Sequence, residues 1–113
     1  MKTLPLLTAA ALLIALSGCA KPVPAAKIAY VGEWQRPEMY LLITQDGSVK
    51  YKRQQGGAST SVEGPLQEFS GNDFSVGIGP MSTRFKVTVP PHQVKDGSWK
   101  MTVDGLELTR TSQ

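Results

Sequence analysis

Cys19 is the only cysteine in this 113-residue chain, and His92 is the only histidine. Those two residues bound the chemistry available. A lone imidazole and a lone thiol do not build a His/Cys metal site. Catalysis of the common kinds needs a nucleophile with a base, a pair of carboxylates or a metal cluster. His92 follows Pro90-Pro91, with Asp96 four residues on and Ser98 just beyond. A serine, a histidine and an acid drawn from one short loop make a poor relay, so His92 reads as a solvated loop residue. No catalytic residue, metal or cofactor is expected.

The other chemical groups have structural explanations. Asp46 and Asp104 each precede a glycine and read as turn formers. Glu63 and Glu68 flank Gly64-Pro65, and their odd spacing does not make a glycosidase pair. Gly56-Gly57 and Gly77-Ile78-Gly79 lack the Lys-Ser/Thr that follows a phosphate loop. Lys50, Lys52 and Arg53 form the densest basic patch. It suits contact with an anionic surface, but the preferred reading is a solvated face that blocks edge-to-edge pairing. Trp34, Phe74, Phe85 and Trp99 are candidate core aromatics, or the lining of a ligand pocket.

The elements that position these groups begin with a leader. Lys2 is its one charge, and residues 4–16 are Leu, Ala and Ile broken only by Pro5 and Thr8. This run is shorter than the about 20 apolar residues that span a bilayer. A positive start, an apolar middle and a small-residue exit describe a secretory signal peptide.

That leader ends in Leu16-Ser17-Gly18-Cys19, which resembles the lipobox of bacterial lipoproteins. The resemblance implies diacylglycerol on the Cys19 thiol, cleavage just before it and acylation of the new amino terminus. Two or more acyl chains hold a protein stably on a membrane, where one holds it marginally. Ala20 is not the aspartate that often retains such proteins at the inner membrane. In a Gram-negative cell the expected location is therefore the periplasmic face of the outer membrane.

Three regions follow: a signal peptide over 1–18, the lipidated cysteine and a Pro-containing tether over 19–27, and one β-domain over 28–113. Removing residues 1–18 from 113 leaves 95, with 11 basic and 9 acidic residues because only Lys2 is lost. So mild a charge does not point to nucleic acid. With Cys19 acylated the domain has no disulfide and must rely on a hydrophobic core. Pro22 and Pro24 favour an extended tether. Eight such residues at about 3.1 Å each reach roughly 25 Å.

The domain reads as β throughout. Strands are expected over 28–34, 39–44, 49–54, 60–69, 74–78, 82–89, 99–103 and 106–109. Asp46-Gly47 and Asp104-Gly105 are hairpin signals. Gly64-Pro65 breaks the fourth strand in two or bends it at a sheet edge. Pro90-Pro91-His92 begins a loop that runs to Gly97. Phe74, Val76 and Ile78 share one face, and Phe85, Val87 and Val89 point inward. Seven or eight short strands make a small antiparallel β-barrel or sandwich. Sequential hairpins favour an up-and-down barrel. Gly32-Glu33-Trp34 is similar to the Gly-x-Trp near the start of lipocalin-type barrels.

These features point to a non-enzymatic envelope lipoprotein whose β-domain binds an envelope protein. One alternative is a lipocalin-like binder of a small ligand. Another is an inhibitor of an exported hydrolase, because membrane-bound lysozyme inhibitors are small β-barrel lipoproteins, although their paired cysteines are missing here.

Overall fold

A computed structural model describes residues 21–112, so the leader and Cys19 lie outside the described residues. The fold is all-β. Nine strands run β1 (Gly32–Arg36), β2 (Met39–Ile43), β3 (Ser48–Gln55), β4 (Ala58–Ser70), β5 (Asp73–Ile78), β6 (Met81–Phe85), β7 (Val87–Gln93), β8 (Trp99–Val103) and β9 (Leu106–Ser112). They form one antiparallel sheet in the order β6-β5-β4-β3-β2-β1-β9-β8-β7, curled into a half-barrel.

Turn chemistry sets most of this order. In the β2–β3 turn Gly47 takes φ +93°, and its N–H donates to Thr44 O at 3.0 Å. In the β8–β9 turn both Asp104 and Gly105 have positive φ, the backbone that a two-residue hairpin turn needs. Alternation then fills the core. Trp34, Leu41, Ile43, Val49, Met101 and Leu108 expose 1% of their surface or less. The same side of the sheet carries a chain of aromatic contacts. Phe74 and Phe85 stack at 5.1 Å, and Tyr51 meets Phe85 at 4.8 Å.

Proline placement explains the departures from the expected strands. β4 is one 13-residue strand inside the sheet, not two pieces and not an edge. It pairs with β3 through Pro65 and with β5 from Leu66 onward. Pro65 therefore sits where the strand changes partner, and its missing N–H costs little there. Leu66 N–H donates instead to Gly47 O at 2.8 Å. Pro90 and Pro91 lie within β7, not in a loop. β7 is an edge strand with two register shifts, the setting in which sheets tolerate proline.

Three further expectations change. The span 82–89 is not one strand: it divides at Lys86 into β6 and β7, which end the sheet on opposite sides. This division, with β4 left whole, gives nine strands where seven or eight were expected. The bulges in β7 turn Val89 outward, leaving it 41% exposed. Ile78 pairs with Met81 at the far end of β5, past the core, so it does not join Phe74 and Val76 inside and is 74% exposed.

The first strand also starts later than expected. Residues Ala25–Tyr30 form a short 3-10 helix after Pro24. Tyr30 drives this, because its ring is buried edge-on against Phe69 at 5.0 Å and Phe74 at 6.2 Å. Its carbonyl accepts Trp34 Nε1–H at 2.9 Å, which satisfies the one polar atom of the buried indole. Trp34→Ala should therefore lower unfolding free energy by about 3–5 kcal/mol. Urea denaturation followed by circular dichroism measures it, and a loss under about 1 kcal/mol would contradict this packing.

Candidate functional site

The segment expected as a tether is attached to the sheet from Val23 onward. Val23 is buried, and its N–H donates to Gln45 O at 3.0 Å. Lys27 Nζ donates to Gly71 O at 2.7 Å and lies over the rings of Tyr30 and Phe69 at 5.6 and 5.5 Å. Gly47 makes room for the segment that precedes Val23, since a Cβ there would collide with the Lys21 carbonyl oxygen. Two of the expected spacer residues thus became anchoring contacts. The signal in the sequence was slight: one valine between two prolines.

Lys21 leads into an open surface hollow of about 430 Å³ that it shares with Leu66, Glu68, Gly77, Ile78 and Gly79. A second hollow, about 690 Å³, lies on the other side of Ile78 and is lined by Leu42, Lys50, Glu63 and Pro65 among others. Between the hollows stands the β5–β6 turn. Ile78 pairs with Met81 across Gly79-Pro80, and these two side chains are 74% and 79% exposed.

The basic patch does not stay together. Lys50 and Lys52 are exposed on the outer face of β3, and Lys50 Nζ lies 3.9 Å from Glu63 Oε2 across the β3–β4 pair. Arg53 follows the opposite parity, beside Tyr51 on the inner side. It is half-buried, and its Nε is buried without a hydrogen-bond partner. A period of two separates neighbours that look adjacent in the sequence.

The four aromatics also divide. Trp34, Phe74 and Phe85 are fully buried in the core. Trp99 is half-buried and packs on the core from β8. Arg110 joins it to Trp34: the guanidinium lies 4.9 Å from the Trp99 ring and 5.7 Å from the Trp34 ring. Its Nη1–H reaches Val31 O at 3.5 Å. Sequence reading missed Arg110 because it lies 76 positions from Trp34 in a strand that looked merely solvated.

His92, Asp96 and Ser98 do not form a relay. His92 Nδ1 is 3.0 Å from Pro90 O, and Asp96 Oδ1 accepts Ser98 N–H at 2.9 Å and Ser98 Oγ–H at 2.6 Å. Those bonds hold the Asp96 carboxyl below the usual range, the side-chain bond most. Among the described residues no group of three or more His, Cys, Asp or Glu could hold a metal ion. No described helix is long and apolar enough to cross a membrane.

Two acids do unexpected work at the break between β6 and β7. Asp73 Oδ1 accepts Val87 N–H at 2.8 Å, and its Oδ2 lies 3.3 Å from Arg84 Nη2. Asp104 Oδ1 accepts Lys86 N–H at 3.0 Å, while Asp104 N–H donates back to Lys86 O at 2.8 Å. No protein-family description, curated protein or solved structure matches the chain.

The bond from Val87 N–H, with Arg84 adding to it, holds the Asp73 carboxyl below its ordinary value. A depressed carboxyl stabilises the fold above its unfolded pKa of about 3.9 and loses that contribution as pH falls through the folded value. Asp73→Asn should keep an acceptor for Val87 but lose the charge. Its urea midpoint should fall less between pH 5 and pH 2 than that of the native protein. Equal falls would show that Asp73 is not ionised preferentially in the folded state.

Proposed function

We propose that the chain is a membrane-anchored lipoprotein of a bacterial cell envelope, non-enzymatic, whose β-domain binds another envelope protein. The anchor reading rests on the apolar leader and Leu16-Ser17-Gly18-Cys19, with Cys19 carrying diacylglycerol and an N-acyl chain at the periplasmic face of the outer membrane. The lipocalin-like type of barrel is part of the same reading, supported by the mostly sequential hairpins and by Gly32-Glu33-Trp34 opening β1.

The observation that carries the binding reading is the inequality of the two sheet edges. β7 is guarded by Pro90, Pro91 and two register shifts, devices that prevent strand pairing. β6 has neither proline nor bulge, pairs in unbroken register with β5, and exposes Met81, Ser82, Thr83 and Arg84. An unguarded edge is a template on which a partner strand can add, with main-chain hydrogen bonds supplying affinity. Trp34, Phe74 and Phe85 are committed to the core, which weighs against a ligand pocket built from them.

Two measurements test this. Cys19→Ala should abolish palmitate labelling and move the protein from the membrane to the soluble fraction. A photo-crosslinking residue at Ser82 or Thr83 should give one recurrent protein adduct in intact cells, and the same residue at Thr88 on β7 should give none. Equal patterns from both edges, or no adduct from β6, would remove the edge-binding reading.

A further inference from the structure

We infer that the β5–β6 turn, Ile78-Gly79-Pro80-Met81, is a second membrane contact that seats in the lipid interface beside the acyl chains. This inference rests on the reading of Cys19 as lipidated. It adds the surface by which the domain lies on the bilayer.

The argument is one of reach. Lys21 is fixed against Gly47, and Val23 is bonded to Gln45. Cys19 is two residues before Lys21. Two residues of extended chain span at most roughly 7 Å. Lys21 lines the same hollow as Ile78 and Gly79. The lipid attachment point therefore cannot be far from the turn, whatever path those two residues take. A leash of eight free residues would have left the distance from lipid to turn open; this one does not.

The turn is built for such a contact. Ile78 and Met81 face each other across it, and they are the two most exposed large hydrophobic residues of the described chain. Pro80 lies between them and carries no N–H needing a partner in an apolar setting. Large exposed apolar side chains set together mark an interaction surface, where scattered single ones do not. Gly77 holds the turn in place: at φ +139° a Cβ would collide with Met81 O. The occupant is lipid because the acyl chains are brought to this spot by the covalent chain itself.

Charge supports an apolar rather than an electrostatic contact. The hollows on either side of Ile78 hold Lys21 with Glu68, and Lys50 with Glu63. Each cation has an acid in the same hollow, so the surface around the turn carries no excess of either sign. The contact should therefore be indifferent to anionic lipid.

The test uses the full-length lipoprotein, purified in detergent and reconstituted into vesicles. Mass spectrometry of the Cys19 peptide reports the acylation independently. Met81→Cys, labelled with an environment-sensitive fluorophore, reports the turn; Ala58→Cys serves as control. Ala58 follows the β3–β4 turn, roughly 23 Å along β3 from Ser48. In phosphatidylcholine vesicles the label at 81 should shift to the blue and be quenched by brominated acyl chains. The label at 58 should do neither, and Ile78→Asp should abolish the shift at 81. Adding phosphatidylglycerol should change nothing. Acylated protein whose label at 81 stays water-like overturns this inference and leaves the anchor intact. A shift that requires anionic lipid, or that occurs without vesicles, also overturns it, in favour of electrostatic contact or of a second copy of the chain. Unacylated Cys19 overturns the anchor and this inference together.

Discussion

The break in the chain at Lys86 is the constraint on which the rest of the half-barrel depends. β6 and β7 are consecutive in sequence yet end the sheet on opposite sides. To pass from one side to the other the strand must interrupt its ladder. That leaves main-chain donors without ladder partners, exposed at Lys86 and partly buried at Val87, and a donor shielded from water needs a partner. Two carboxylates from distant turns take them: Asp73 receives Val87 N–H, and Asp104 receives Lys86 N–H. The residues flanking the break, Phe85 and Val87, are both buried. The interruption is thus confined to a single residue, and the core runs on beneath it.

From that break the asymmetry of the molecule follows. The aromatic chain from Tyr30 through Phe74 and Phe85 to Tyr51 lies under the folded-over strands β5 and β6. Tyr30 and Tyr51 both have their phenols pushed up, first of all by burial. β5 and β6 gain their inner faces from this packing. Their far turn, however, projects past it, with Ile78 and Met81 outside. The same strands supply the unguarded edge and the exposed apolar turn. Function in this domain is therefore sought on β5 and β6, not on the tightly hairpinned β1, β8 and β9.

The all-β class and most strands were legible because period-two alternation and Asp-Gly turns are local signals. β8 and β9 appear almost as the alternation of Trp99 to Leu108 suggests. What was not legible was long-range. Lys86 looks like one more outward residue in an alternating run, and only Asp73 and Asp104 reveal why the run must break there. Asp104 had a complete local explanation as a turn residue, which concealed its second role. Pro65 was expected to split its strand or place it at an edge and Pro90 to begin a loop, yet both lie within strands. Where each would be tolerated depended on strand order, which the residues themselves do not encode. Arg53 was grouped by adjacency, though strand parity puts it on the other face, and Ile78 was assigned by alternation, though it lies past the core. Cys19 and its leader stand apart, as a reading of sequence motif alone.

A short leash changes what a small apolar surface can accomplish. Burying Ile78 and Met81 fully would contribute about 1.5–3 kcal/mol each. For a free protein that is too little to offset the lost freedom of association. Acyl chains at Cys19 would pay that cost beforehand and turn insertion of the turn into an intramolecular step. The local concentration of lipid is then high, and a weak contact suffices to bias orientation. The anchor alone would fix distance but leave the domain free to rotate about it. A second contact a few residues away in space removes most of that freedom. The β6 edge begins at Met81, so the same contact would hold Ser82 to Arg84 close to the membrane surface. A partner strand would then have to approach along that surface, which narrows the class of partner to proteins with a segment at the bilayer.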